Sequence, residues 1–181
     1  MPTHLPEKSE SQNLYIRNAD SDDIGVLQLI CDSWTDKLLI EGEEFAPDYI
    51  SKCLSIGDLP PIRKPIKANY RIKVIGNKKS NDIIGFFEMY YGYPTPSVLW
   101  ISMFVINSNS QHTGYGSEII ELLTREAKKN EYTGIGIGVH LKNWKGLRFW
   151  TQNGFDKVTG ISGDKEYAND KFSVIKLQKA F

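Results

Sequence analysis

The sequence predicts a mixed α/β (α+β) fold, in which a β-sheet packs against helices. The stretch 98–106 is rich in β-branched and aromatic residues and contains no Gly or Pro, which is typical of a buried strand. From Ser117 to Asn130, apolar residues recur at steps of three and four, which indicates one face of a helix. Segments 69–75 and 83–91 have the alternation expected of strands. Strands and helices therefore follow one another along one chain.

The remaining elements follow from the same patterns. Residues 1–12 are polar and are expected to be flexible, and one domain is expected from 13 to 181. An apolar face of Ile24, Leu27, Cys31, Trp34 and Leu38 predicts a helix that begins near Asp20. The sequence predicts strands at 14–17, 69–75, 83–91, 98–106, 134–141, 156–162 and 172–177, and further helices beginning at Asp48, Ser117 and Asn143.

Composition argues against several classes of protein. Lys plus Arg and Asp plus Glu are 22 each, so no net field would draw nucleic acid or an anionic membrane. No apolar run is long enough to span a bilayer, and the first residues do not read as a signal peptide. Cys31 and Cys53 form no CxxC, and His4, His112 and His140 lack metal-ligand spacing. We therefore expect a cytoplasmic protein with no metal, nucleic-acid or membrane partner.

The loop before the predicted helix at Ser117 contains Gly114 and Gly116. Free backbone N–H groups at a helix N-terminus form a cradle for an anion, typically a phosphate. A P-loop would need Lys and a hydroxyl residue directly after the last Gly, and a dinucleotide fingerprint would need a third Gly at Ile119. Neither pattern is present, and a plain strand-to-helix turn remains an alternative.

Two motifs carry a more specific resemblance. Gln111 to Gly116 has the form Q-x-x-G-x-G after a buried strand, and it resembles the acyl-CoA pyrophosphate loop of the GNAT superfamily of N-acetyltransferases. The stretch from Asn143 to Phe155 resembles the second cofactor segment of that superfamily. In that segment an Asn begins a helix, a small residue stands three positions later, an aromatic pair follows, and Gly-Phe begins a strand. The matching residues here are Asn143, Gly146, Phe149-Trp150 and Gly154-Phe155. The resemblance covers roughly residues 72–177.

The resemblance implies a central mixed, mostly antiparallel sheet of six to seven strands, flanked by helices. It also implies a splay between the two central parallel strands, in which the pantetheine arm of acetyl-CoA, the co-substrate, lies. The positions implied for acetyl-CoA are Phe104, Val105 and Ile106 along the pantetheine, Gln111, His112, Thr113, Gly114, Tyr115 and Gly116 around the pyrophosphate, and Asn143 and Phe149 beside the pantetheine.

The catalytic groups depart from the superfamily pattern. Relatives often carry a Glu base at the position of Trp100 or of Gly138, and a proton-donating Tyr at the position of Trp150. Glu88, a carboxylate flanked by apolar residues on one strand face, must be paired, exposed at an edge or functional. The candidate bases are therefore Glu88 and His140, acting through water, with Trp150 packing or hydrogen-bonding beside the sulfur.

Gly134, Gly136 and Gly138 alternate on the strand that His140 ends, which leaves one face without side chains. Such a face suits the close approach of a slender ligand, which the resemblance identifies as pantetheine. Tight packing of a helix on the glycines is the competing explanation.

The sequence thus predicts an N-acetyltransferase that moves an acetyl group from acetyl-CoA to a primary amine of a small molecule or peptide by direct attack. The alternative is a non-catalytic acyl-CoA-binding sensor or scaffold, which the missing acid and base residues favour. Glu41, Glu43 and Glu44 could face a cationic acceptor or could form a solvated acidic turn. A homodimer is possible because relatives commonly form one.

Overall fold

The computed structural model describes residues 2–181, in which eight strands form one sheet in the order β1-β2-β3-β4-β5-β6-β8-β7. The strands are β1 Lys8–Glu10, β2 Leu14–Asn18, β3 Tyr70–Asn77, β4 Ile83–Tyr91, β5 Val98–Ile106, β6 Gly134–His140, β7 Lys157–Gly163 and β8 Ser173–Ala180. The helices are α1 Ile24–Asp32, α2 Lys37–Glu41, α3 Tyr49–Ser55, α4 Tyr115–Lys129 and α5 Trp144–Gln152.

Only β5 and β6 pair in parallel, and every other neighbouring pair of the described sheet is antiparallel. The prediction of a mixed, mostly antiparallel sheet flanked by helices is therefore confirmed, with eight strands rather than six to seven.

The additional strand is β1, within the stretch expected to be flexible. It pairs with β2, and the buried Lys73 ammonium donates hydrogen bonds to the carbonyl oxygens of Pro6 and Glu7, at 2.7 and 3.2 Å. A buried ammonium needs such acceptors, so Lys73 ties this segment to the sheet. Three residues, K-S-E, carry too little pattern to predict a strand.

The helix expected from Ile24 to Leu38 is two helices. α1 ends at Asp32, and α2 begins at Lys37 after a turn in which the Trp34 N–H bonds the Cys31 carbonyl. Leu27 and Cys31 are buried as predicted, but Leu38, which lies in α2 beyond the break, is exposed.

The two faces of the sheet carry separate clusters of apolar side chains. α4 and α5 cover one face, with Ile119, Ile120, Leu123 and Ala127 of α4 fully buried as their spacing predicts. α1 and α3 cover the other, which carries Phe86 and Tyr90 of β4. Each buried Ile, Leu or Phe side chain among them stabilises the fold by about 1.5–3 kcal/mol. Glu88, between Phe86 and Tyr90, faces α3.

Candidate active site

The parallel strands β5 and β6 diverge. They are paired over four positions, from Val98 opposite Gly134 to Ile101 opposite Ile137, although β5 continues to Ile106 and β6 to His140. Beyond Ile101, β5 therefore has no strand partner on its β6 side within the described part of the chain. The splay implied by the resemblance is present in the structure.

A cleft of about 590 Å³ lies where the strands diverge. Trp100, Ser102 and Met103 of β5 and Gly138 and His140 of β6 line one side of it. The opposite wall comes from α2, α3 and the segments around them, and its lining includes Lys37, Glu41, Glu43, Glu44, Phe45, Tyr49, Asp58 and Pro60. The acidic segment 41–44 thus belongs to the wall of the cleft.

The glycine face of β6 is covered by side chains of the neighbouring strands. A Cβ at Gly136 would lie 2.8 Å from the Trp100 ring, and one at Gly138 would lie 3.0 Å from Val174 and 3.6 Å from the same ring. The packing of a helix on these glycines was the competing expectation; a tryptophan of β5 and a valine of β8 occupy that place instead. Trp100 thereby brings an aromatic surface to the cleft.

The loop between β5 and α4 is built around left-handed backbone. His112 has φ 60° and Gly114 has φ 87°, and α4 begins directly afterwards at Tyr115. Among residues 2–181, a Cβ at Gly114 would meet nothing within 4 Å, and no side chain caps α4. The first N–H groups of α4 are therefore available to an anion, as a pyrophosphate loop requires.

Several side chains of this loop serve its own structure. Gln111 Nε2 donates to the Ile106 carbonyl at 2.8 Å, and Thr113 Oγ1 donates to the Ser110 carbonyl at 2.8 Å. Asn77 Nδ2 donates to the Tyr115 hydroxyl at 3.2 Å. These side chains hold the loop, which leaves its backbone N–H groups and the exposed His112 side chain to contact a ligand.

The helix α5 begins with a side-chain cap. Asn143 Oδ1 accepts a hydrogen bond from the Gly146 N–H at 2.8 Å. A Cβ at Gly146 would lie 2.7 Å from the Asn143 carboxamide, which explains why a residue without a side chain stands three positions after the Asn. The N–H groups of Asn143 Nδ2 take no part in this cap and can donate hydrogen bonds to another partner.

An aromatic cluster joins the two motifs. The ring centroid of Phe104 on β5 lies 5.9 Å from that of Phe149 and 5.5 Å from that of Trp150. A Cβ at Gly116 would approach Phe149 to 2.9 Å, so the first turn of α4 rests on this ring. Trp150 is 5 % exposed and also packs on Phe155 at 4.8 Å. It belongs to the core, which favours its predicted packing role.

Glu88 lies in the middle of β4 and is 0 % exposed. The Tyr49 hydroxyl donates a hydrogen bond to Glu88 Oε1 at 2.8 Å, whereas Oε2 is buried without a partner among residues 2–181. Burial raises the pKa of Glu88 to about 7, although Tyr70 and Tyr49 oppose that rise. Glu88 is thus a carboxyl group that exchanges its proton near neutrality, set back from the cleft behind Tyr49.

His140 lies directly in the cleft wall. Its Nδ1 is buried and makes no hydrogen bond within the described residues. Burial lowers the pKa of His140, with the Glu41 carboxylate acting in the opposite direction and the Lys37 ammonium reinforcing the effect. The neutral imidazole is able to accept a proton.

Two features of the site had no signal in the sequence. Tyr49 opens α3, 39 residues before Glu88, and nothing in its surroundings marks it as a site residue. Ser102 is a bulge residue, because Glu88 pairs with Met103 and Met89 with Ile101. Its hydroxyl is buried without a hydrogen-bond partner among the described residues and lies at the cleft. Bulges are frequent beside active sites.

Two further observations concern metal sites and membrane-spanning helices. Within residues 2–181, no three His, Cys, Asp or Glu side chains come together in a way that would hold a metal ion. In the part of the chain that the structure describes, no helix combines the length and apolar composition needed to cross a membrane.

Known proteins supply a direct comparison. The family model described as the acetyltransferase (GNAT) family matches residues 40–155. Comparison with curated protein sequences gives no match.

Solved structures resemble the whole chain. A probable GNAT-family acetyltransferase from Chromobacterium violaceum ATCC 12472 superimposes with a TM-score of 0.77 at 13% identity, covering 99% of this chain and 89% of that one. An acetyltransferase (GNAT family) from Bacillus anthracis gives 0.70 at 15% identity, with coverage of 96% and 98%. The acetyl transferase from Salmonella typhimurium that modifies the N-terminal serine of 50S ribosomal subunit protein L7/L12 gives 0.69 at 16% identity, with coverage of 94% and 96%. At these identities the likeness shows the fold.

Proposed function

Because the chain belongs to the GNAT acetyltransferase family, we propose that it transfers an acetyl group from acetyl-CoA to a primary amine of a small molecule or peptide. The observation that carries this proposal is the splay between β5 and β6, which opens onto a cleft lined by titratable side chains. The amine would enter that cleft and attack directly, so no nucleophilic residue of the chain is needed.

The residues around the splay fit acetyl-CoA. The uncapped N-terminus of α4, with open space above Gly114, suits the pyrophosphate. Asn143 Nδ2, left free by the capping bond of Oδ1, suits a carbonyl oxygen of the pantetheine. Phe149, packed against Gly116, would line the same arm. When bound, acetyl-CoA supplies the acetyl group as a thioester whose carbonyl carbon the amine attacks.

Positioning supplies most of the rate advantage in this proposal. Holding two reactants in the geometry of attack lowers a barrier by about 7–11 kcal/mol. The backbone of Phe104, Val105 and Ile106 would hold the pantetheine, because β5 has no strand partner on that side. A backbone N–H of this segment would also stabilise the negative charge on the carbonyl oxygen.

The amine must lose a proton before it attacks. A lysine-like amine has a pKa of about 10.4, so its deprotonation at pH 7 costs roughly 4–5 kcal/mol at 1.36 kcal/mol per unit. Glu88 and His140 are the proposed acceptors of this proton, with Glu88 acting through an intervening group. Trp150 gives no proton, but a CoA thiol with a pKa of about 8.5 leaves with little assistance.

We place the enzyme in the cytoplasm. Cys31 and Cys53 are free thiols, as is usual in a reducing compartment. Burial raises the pKa of Cys53 to about 12 and that of Cys31 further, which argues against either as a nucleophile.

The test is release of CoA thiol from acetyl-CoA in the presence of polyamines, aminoglycosides, amino acids and peptides, alongside calorimetry of acetyl-CoA binding. Release that depends on one class of amine supports the proposal and names the acceptor. Binding without release by any amine favours the alternative of a non-catalytic acyl-CoA sensor or scaffold. Absence of binding would refute both.

A further inference from the structure

We propose that Tyr49 is the group that contacts the amine and relays its proton to Glu88, which lies behind it. The inference deepens the proposed acyl transfer and rests on it. It replaces the water expected between Glu88 and the amine with a side chain of the protein itself.

The geometry requires an intermediary. Glu88 has no exposed surface and is not part of the cleft lining, so it cannot touch an amine held in the cleft. Tyr49 is half-buried, lines the cleft and donates its hydroxyl proton to Glu88 Oε1 at 2.8 Å. The same hydroxyl oxygen keeps lone pairs that can accept a proton from the cleft side.

The proton balance is complete without a further reactant. One N–H bond of the ammonium breaks as its proton passes to Tyr49 Oη, while the original Tyr49 proton passes to Glu88 Oε1. The amine nitrogen then bonds to the acetyl carbon as the carbon–sulfur bond breaks, and a second N–H proton goes to the departing sulfur to give the thiol. Glu88 returns its proton to solvent through Tyr49, which restores the starting state.

The electrostatics suit each group to its part. Burial and the nearby Glu88 charge raise the pKa of Tyr49 far above its ordinary value, so Tyr49 stays a phenol and only passes a proton on. Burial raises the pKa of Glu88 to about 7, which makes it a stronger base than an exposed carboxylate. The titratable and charged groups that face Glu88 are Tyr49 and Cys53 of α3, Tyr70 of β3, Cys31 of α1, and Asp58 and Lys67 of the loops around α3.

The unpartnered oxygen of Glu88 distinguishes a relay from a purely structural bond. A structural carboxylate in a core normally has both oxygens satisfied. Glu88 Oε2 and the Tyr70 hydroxyl are both buried and lie close enough for Tyr70 to lower the pKa of Glu88, yet neither makes a hydrogen bond of ordinary geometry among the described residues. A buried carboxyl group that is incompletely satisfied is costly for the fold and calls for an explanation, which a proton relay supplies.

The experiment compares Tyr49→Phe, Glu88→Gln and the double variant with the wild type, using an amine that supports thiol release. Each single variant should lower kcat about a hundredfold, within the range typical of general base catalysis, while the KM for acetyl-CoA changes by less than about threefold. The double variant should be no slower than the slower single one, because both remove the same path. The rise of kcat with pH near 7 should disappear in all three.

Tyr91→Phe is the matched control. It likewise removes a tyrosine hydroxyl with one hydrogen bond, here a buried one that accepts from the Leu5 N–H at 3.2 Å, on the opposite face of the sheet. We expect its kcat to stay within about threefold of the wild type. Thermal unfolding of every variant separates lost catalysis from lost fold.

Rates of the wild type in mixtures of H₂O and D₂O give a second measurement that depends on no variant. Two protons moving together predict a curved dependence on deuterium content, and a straight line would overturn the relay. So would a Tyr49→Phe rate within threefold of the wild type, or loss of the pH inflection in His140→Gln but not in Tyr49→Phe. A wild type that releases no thiol with any amine refutes the proposed function itself, and the relay with it.

Discussion

The Tyr49 hydroxyl lies 2.8 Å from Glu88 Oε1 and thereby joins the first turn of α3 to the middle of β4, across 39 residues of sequence. The bond connects a residue of the cleft wall with a carboxyl group that solvent does not reach. Ionising that carboxyl group costs free energy, because burial disfavours its charged form. Stability and the proposed activity should therefore oppose each other at this position.

Glu88→Gln should stabilise the protein above neutral pH. Since burial raises the pKa of Glu88 from its ordinary 4.5 to about 7, folded Glu88 holds its proton more tightly than unfolded Glu88. This pKa difference contributes fully to the free energy of unfolding below pH 4.5. The contribution, about 3 kcal/mol, is lost as the pH rises through 7. Denaturant unfolding at pH 4.5 and pH 8 should show near equality of the two proteins at the lower pH and a more stable variant at the higher one. Equal stabilities at both would contradict a buried, titrating carboxyl group.

Asn143 should show separable effects of its two side-chain atoms. Asn143→Asp keeps the oxygen that caps α5 but loses the Nδ2 donor, so it should retain the melting temperature and weaken acetyl-CoA binding. Asn143→Ala loses both, and should cost about 1 kcal/mol of stability in addition. Calorimetric binding and thermal unfolding of the pair are the measurements. If the Asp variant bound acetyl-CoA as tightly as the wild type, Nδ2 would not be a contact of the pantetheine.

Gly114→Glu should abolish acetyl-CoA binding, because it places a carboxylate in the proposed pyrophosphate cradle. The side chain has room in the unliganded protein, since a Cβ there meets nothing within 4 Å. A left-handed φ of 87° adds a strain of about 1 kcal/mol to any such substitution. Gly114→Gln has the same size and strain without the charge, so the difference in Kd between the two variants measures repulsion. Unchanged affinity in the Glu variant would refute the loop assignment.

Trp150→Phe should mainly reduce stability. Trp150 is packed between Phe149 and Phe155 with ring centroids 5.0 and 4.8 Å away, so the smaller ring leaves a space and should cost about 1–3 kcal/mol. The kcat should fall less than tenfold, because the indole takes no part in proton transfer. Steady-state kinetics beside chemical unfolding test this, and a hundredfold loss of kcat in a stably folded variant would show that Trp150 acts in the reaction.

The sequence predicted the fold where periodic patterns were long. β4, β5 and the buried face of α4 are where alternation and three-to-four spacing indicated them. β1 was missed because it depends on tertiary contacts such as the hydrogen bonds of Lys73 to the segment before it, and the break between α1 and α2 was missed because the apolar spacing continues across it. Short elements carry little periodic signal of their own.

The candidate site also has features that the sequence predicts and features that it does not. Loop geometry at Gly114 and the cap at Asn143 are local, and their motifs can be read from consecutive residues. Tyr49 could not be identified as a site residue from the sequence, because its role depends on a hydrogen bond to Glu88 that forms only in the folded protein. From the sequence, Glu88 could be paired, exposed at an edge or functional. In the structure it is buried on the face of the sheet that α3 covers.

Trp100 links two departures from the superfamily pattern. It stands at one position where relatives often carry a Glu base, and its ring lies against Gly138, the other such position. A side chain at 138 would meet Val174 of β8 first, because a Cβ there would lie 3.0 Å from Val174 but 3.6 Å, an ordinary contact distance, from the indole. Gly138→Glu combined with Val174→Ala is therefore the smallest graft of the relatives' base that makes room for it beside the indole, and a working graft would make Glu88 dispensable.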